Sequence, residues 1–71
     1  MLFSFYRLVQ TCLKYDFYFV LDTSGYKHND LRMTLFPNDA PWKVTFSESN
    51  YRDLFESAIR KIKIHRKERR K

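Results

Sequence analysis

The chain is poor in residues that break regular structure and in residues that build several kinds of site. Its 71 residues include one Gly, two Pro and one Cys. The single Cys12 excludes an internal disulfide and a cysteine metal cluster, and one Gly leaves no glycine-rich loop for a phosphate group. No run approaches the ~18 consecutive apolar residues of a membrane span. The shortage of Gly and Pro indicates a small ordered domain with short connections.

Side chains that commonly carry catalysis are also sparse. The two histidines, His28 and His65, have no Ser, Cys or carboxylate at a spacing typical of a triad or a metal site. Asp16, Asp22 and Asp30 flank a predicted hairpin, where aspartates usually shape turns. We therefore predict a non-enzymatic protein with no cofactor, no metal and no small-molecule substrate.

The N-terminus is apolar, but it does not read as a secretory signal. Arg7 and Gln10 interrupt the apolar run, and no small-residue cleavage site follows it. A single cysteine without a disulfide partner also favours a reducing compartment. We expect a cytoplasmic protein.

Apolar residues recur at helical spacing near the N-terminus and predict a first helix over about residues 5–15. With Ser4 as the N-cap, Phe3 and Leu8 take the two positions of a hydrophobic staple. Arg7 is expected to point toward water. The predicted buried stripe consists of Leu2, Phe5, Tyr6, Val9, Cys12 and Leu13.

The period of the pattern then changes to two, which predicts three strands. Residues 17–21, 31–36 and 42–47 each alternate between two faces, and the segments 23–30 and 37–41 supply polar turns. Three such runs are typical of an antiparallel meander with one buried face. The side chains predicted on the open face are Tyr18, Arg32, Thr34, Lys43 and Thr45.

A second helix is predicted after the third strand. Ser47 is the expected N-cap, with Phe46 and Tyr51 as its staple, and Glu56 is expected to pair with Arg60. Its apolar stripe consists of Tyr51, Leu54, Phe55, Ala58, Ile59 and Ile62. The predicted fold is a single small α+β domain of order α-β-β-β-α, with a three-stranded antiparallel sheet covered on one face by two helices.

Positive charge is concentrated at the C-terminus. Residues 60–71 hold eight Lys or Arg and one Glu, a net charge of +7, whereas residues 1–59 hold six basic and seven acidic side chains, a net charge of −1. The apolar stripe stops after Ile62, so we predict a compact domain over residues 1–63 and a basic C-terminal extension of helix 2 over residues 64–71. A near-neutral body with a cationic arm is typical of proteins that bind polyanions.

Two sets of candidate contact residues follow from this reading. If the second helix continues, the cations of the arm form a ridge opposite the core that can follow a phosphate backbone. The predicted anion-binding residues are Arg60, Lys63, Arg66, Lys67, Arg69 and Arg70.

Side chains on the open sheet face, together with an exposed Ile in the arm, form a second set that can stack on nucleotides or contact a protein. These partner-binding candidates are Tyr18, Arg32, Lys43 and Ile64.

The charge pattern leaves more than one partner open. Nucleic acid or a nucleoprotein complex is favoured. The alternative is a protein-directed inhibitor or adaptor that binds an acidic or other protein surface through the sheet face or helix 1, with the tail only steering association. A purely structural role is also open, in which the same residues form a solvated run whose positive charge interacts favourably with the helix dipole. A membrane surface is disfavoured because nothing after Ile64 is Trp, Phe or Leu.

The predicted element order resembles the double-stranded-RNA-binding domain over residues 5–66. That resemblance implies a Lys-rich start of the second helix that grips phosphates. Here the corresponding segment, residues 47–53, reads SESNYRD and is net acidic. Its carboxylates would repel a phosphate backbone, so the family's mode of duplex binding does not carry over.

The chain is also similar to small proteins encoded by phages and other mobile elements, including some anti-CRISPR inhibitors of Cas effectors. The similar features are the short length, a first helix that runs directly into a meander, and the strand-to-helix junction VTFSES at residues 44–49. The resemblance implies an inhibitor of a nucleoprotein defence complex in the host cell cytoplasm. Several such inhibitors imitate DNA with acidic surfaces, whereas the basic arm here implies contact with guide or target nucleic acid, or with an acidic protein patch.

Overall fold

Two helices and three strands make up the computed structural model, which describes residues 2–22 and 31–69, with side chains described as far as His65. The elements are α1 Leu2–Tyr15, β1 Phe17–Asp22, β2 Leu31–Pro37, β3 Val44–Glu48 and α2 Tyr51–Arg69. This order confirms the predicted α-β-β-β-α fold. The predicted hairpin loop at 23–30 lies outside the described residues.

The sheet is an antiparallel meander in which β2 lies between β1 and β3. Leu31, Met33 and Leu35 of β2 are buried on one face, while Tyr18 and Val20 of β1 are half exposed on the other. The period of two therefore predicted the buried and open faces of the sheet correctly.

The apolar stripe of α2 lies against the buried face of the sheet. Leu54, Ala58 and Ile62 have no exposed surface, and Phe55 and Ile59 are buried beside them. Complete burial of a Leu or Ile side chain contributes about 1.5–3 kcal/mol, so α2 is a principal cover of the core. The stripe ends at Ile62, as predicted.

The first helix buries a different side from the one predicted. Its buried positions, spaced one turn apart, are Ser4, Leu8 and Cys12. This side is rotated by roughly 100° about the helix axis from the predicted stripe. Leu2 and Leu13, expected in the core, are 81% and 73% exposed. The predicted amphipathic helix is present, but its apolar stripe faces largely outward.

Polar contacts with α2 accompany this orientation of α1. Arg7, expected in water, donates hydrogen bonds at 3.0 Å to both carboxylate oxygens of Glu56. The buried Ser4 hydroxyl lies beside the same carboxylate and helps to lower its pKa. The fully buried Leu8 and these polar contacts lie on the same side of α1, so the adjoining apolar stripe faces away from the core. Glu56 therefore pairs with α1. The sequence had predicted a pair between Glu56 and Arg60, and that prediction is wrong.

The turn between α1 and β1 depends on Asp16, which has a φ of 63°. This left-handed conformation ends the helix and reverses the chain into the sheet. The backbone N–H of Asn38 donates to the Asp16 carbonyl at 2.9 Å, and the Asn38 side-chain amide donates to Asp16 Oδ1 at 2.8 Å. These bonds hold the α1–β1 turn against the turn that follows β2.

The second helix begins later than predicted, because Ser47 and Glu48 are still paired with β2 in the sheet. Asn50 is the N-cap. Its Oδ1 accepts the backbone N–H of Asp53 at 2.9 Å, and its Nδ2 donates to Asp53 Oδ2 at 3.0 Å. This reciprocal pair satisfies a donor at the helix start in the manner of a capping box.

Replacing the true cap should weaken the fold more than replacing the predicted one. We expect Asn50→Ala to lower the free energy of unfolding by about 1 kcal/mol, because the Asp53 N–H loses its acceptor. Ser47→Ala, at an exposed strand position, should change it by less than about 0.5 kcal/mol. Urea denaturation followed by circular dichroism measures both, and a larger loss for Ser47→Ala would reject the cap assignment.

The ion pair between the helices should make stability depend on pH. The Ser4 hydroxyl and then the Arg7 guanidinium hold the pKa of Glu56 below its usual value of 4.5, against the opposing effect of burial. Because the pKa is lower in the folded state, the carboxylate stabilises the fold above the unfolded pKa, and this stabilisation is lost as pH falls through the folded pKa.

Glu56→Gln should therefore lower the free energy of unfolding at pH 7, by up to about 1 kcal/mol for a pair this exposed. The difference from the wild type should shrink toward zero at a pH well below 4.5. Denaturant titrations across this range measure it, with Arg7→Gln and the double variant closing a mutant cycle. A difference that stays constant over the whole range would contradict the assignment.

Candidate nucleic-acid interface

The second helix carries the first part of the basic arm. It continues to Arg69, across the predicted boundary between residues 63 and 64. Arg60 and Lys63 are exposed, and Lys61 is half-buried. The division of the chain into a body and an arm stays a prediction. The arm residues whose side chains lie outside the described part of the chain are Arg66, Lys67, Arg69 and Arg70.

The base of the arm is in contact with the body through His65. Its ring centroid lies 4.5 Å from that of Trp42 and 5.5 Å from that of Phe17, both in edge-on geometry. The Nε2 atom of His65 is buried and has no hydrogen-bond partner. His65 is half-buried by these aromatic contacts, three residues after the fully buried Ile62.

A groove lies beside this aromatic cluster, between α2 and the segment that leads into β3. It has a volume of about 340 Å³. Trp42 is 37% exposed and Ile64 is 57% exposed. The groove is lined by Trp42, Val44, Lys61, Ile64 and His65. Ile64, predicted as a lone exposed contact residue, therefore belongs to a concave surface with the only tryptophan of the chain.

The other predicted partner-binding residues lie at separate positions on the open face of the sheet and in the segment before β3. Tyr18 stacks on Phe36 across the open face, with ring centroids 4.7 Å apart and planes 6° from parallel. Arg32 lies opposite Asp22 in the register, four residues along β2 from Phe36, a separation of about 13 Å. Lys43 is exposed in the segment before β3, next to Trp42 in the sequence. Tyr18 and Arg32 thus lie about 13 Å apart along the open face.

The outward side of α1 is an apolar surface made mostly of residues that were predicted to lie in the core. Its most exposed side chains are Leu2, Phe3, Tyr6 and Leu13. Beside it is a hollow of about 250 Å³, lined by Leu2, Phe5, Leu21, Tyr51 and Phe55. The sequence showed the helical spacing of the apolar residues of α1. It did not show the direction in which their side chains face.

Reactive groups among the described residues are few. Burial raises the pKa of the Cys12 thiol to about 11, so it stays protonated at neutral pH and is a weak nucleophile. Within the described ranges, no three His, Cys, Asp or Glu side chains come together where they could hold a metal ion. No helix in the same ranges is long and apolar enough to cross a membrane.

The described part of the molecule thus offers three surfaces to a partner. They are the cationic side of α2, the groove at its base, and the apolar side of α1. No protein-family model, curated protein or solved structure matches this chain. The function is therefore argued from the chemistry of these surfaces.

Proposed function

We propose that this protein is a non-enzymatic binding protein that holds a cationic helix against the phosphate backbone of a nucleic acid or a nucleoprotein complex. The observation that carries the proposal is the separation of charge, with a net +7 in residues 60–71 and −1 in residues 1–59. The continuation of α2 to Arg69 supports it, because a helix presents its cations at regular spacing.

Phosphate contacts would position the protein without reading sequence. Arg60 and Lys63 are exposed three residues apart, so they are neighbours on one side of α2. Four or five phosphate contacts along such a side would give a logarithmic salt slope of about −4 on duplex DNA. Binding should therefore be tight at low salt and weak at high salt.

The body gives the arm a fixed direction. Ile62 is fully buried, and His65 packs against Trp42 and Phe17. A helix that is already ordered at its base loses less conformational freedom on binding than a flexible tail does. The compact domain thus contributes to affinity by holding the first turns of the arm.

A nucleoprotein defence complex is one target with this chemistry. The resemblance to small phage-encoded inhibitors suggests a CRISPR-Cas-like effector in the host cell cytoplasm. In that setting the arm would contact phosphates of the guide or target strand. Nucleic acid remains the partner on which the proposal depends.

Charge position, and not net charge alone, should decide affinity. The arm variant Lys67→Gln, Arg69→Gln, Arg70→Gln and the body variant Lys14→Gln, Lys27→Gln, Arg52→Gln each remove three cations, which lowers the net charge from +6 to +3. The arm variant should bind at least about 10-fold more weakly and lose about 2–3 units of salt slope. The body variant should stay close to the wild type. Fluorescence anisotropy with labelled DNA and RNA at two salt concentrations measures both.

Two outcomes would contradict the proposal. Equal weakening of the arm and body variants would mean that only net charge matters and that the arm has no special role. Absence of binding by the wild-type protein at low salt would reject nucleic acid as the partner.

A second candidate function is supported by the outward side of α1. Leu2, Phe3, Tyr6 and Leu13 form an exposed apolar surface of a kind that commonly marks a protein contact. In that case the partner is a protein, and the arm only accelerates the encounter. Leu13→Asp would then abolish a complex that survives nuclease treatment, and it would leave the affinity for nucleic acid unchanged.

A further inference from the structure

We infer that the groove between Trp42 and Ile64 takes an unstacked base of a single-stranded nucleic acid, while the neighbouring Lys61 and Arg60 contact its phosphates. This inference rests on the proposed function and specifies the form of nucleic acid that the protein prefers. It concerns residues that the charge pattern alone does not single out.

The shape of the groove suits a small planar group. Its volume of about 340 Å³ lies at the small end of the range for ligand sites. Val44 and Ile64 supply aliphatic surface, and Trp42 supplies an aromatic ring that is 37% exposed. A base could therefore stack on the ring while its other surface contacts aliphatic carbon.

The tryptophan ring is held in place before any partner arrives. The Phe17 ring centroid lies 6.1 Å from that of Trp42 at an interplanar angle of 67°, and the His65 ring lies at 4.5 Å and 65°. Edge-on contacts of this kind are favourable between aromatic rings. The Nε2 atom of His65 is buried, so it is not available to a ligand. The role of His65 is to orient the Trp42 ring.

The charges around the groove complement a phosphate backbone. Lys61 lines it directly, and its Nζ lies 5.1 Å from the centroid of the Phe46 ring. Arg60 precedes Ile64 by four residues and so neighbours it on the helix surface. No residue that lines the groove is acidic. Glu68 is the only acid of the arm, against eight Lys or Arg in residues 60–71.

The stacking geometry favours a single strand over a duplex. Bases inside a duplex are stacked and paired, and their faces are not available to a ring on a protein surface. The backbone of a single strand can follow the cations of α2 while one base turns into the groove.

The fluorescence of Trp42 tests this directly, because it is the only tryptophan in the chain. Full-length protein is titrated with single-stranded (dT)15, with a (dT)15·(dA)15 duplex and with an abasic backbone of the same length. We expect (dT)15 and the matching uridine oligonucleotide to quench the Trp42 emission. The duplex and the abasic strand should bind through the arm with little quenching.

Affinities of two variants complete the test, measured by anisotropy of labelled oligonucleotides. Trp42→Ala should weaken (dT)15 binding about 10-fold, as loss of one stacked base does, and leave duplex binding within about twofold. Trp42→Phe should restore most of the affinity. Ile64→Ser changes a mostly exposed side chain, so the fold is retained, and it should also weaken (dT)15 selectively.

Failure of this inference differs from failure of the proposed function. If (dT)15 and the abasic strand bind equally, the Trp42 emission does not change and neither variant loses affinity, the groove is not a base site and the arm alone binds nucleic acid. If no oligonucleotide binds at low salt, both proposals are wrong.

Discussion

Burial of the α2 stripe against the sheet determines where the other surfaces of this molecule lie. Leu54, Ala58 and Ile62 are completely removed from solvent, and they fix the rotation of α2 about its axis. With that rotation set, Arg60 and Lys63 must face water. His65 of the same helix packs against Trp42, so the groove and the exposed cations Arg60 and Lys63 are neighbours as a consequence of core packing.

The same helix also sets the orientation of α1. Leu8 of α1 is fully buried, Arg7 on the same side pairs with the Glu56 carboxylate, and the apolar stripe beside them faces outward. Hydrophobic periodicity measures how apolar residues are spaced on a helix, but it contains no information about polar partners on another element. The stripe was therefore found in the sequence and assigned to the wrong environment.

Most of the fold could be predicted because the strands and α2 have strong periodic patterns. The start of α2 could not, since Ser47 and Asn50 are both good caps, and only the pairing of β3 with β2 decides between them. The cations of the arm are evident in the sequence. The groove is not, because Trp42 and Ile64 are 22 positions apart and meet only after the sheet and α2 have packed.

The most direct test of the account is to map the contacted residues by nuclear magnetic resonance. Amide shifts of ¹⁵N-labelled full-length protein are followed while a mixed-sequence single-stranded oligonucleotide is added. The account predicts that the largest changes fall on residues 60–71 and on the Trp42 indole N–H, with α1 unaffected. Changes confined to the exposed side of α1, or no changes at low salt, would contradict it.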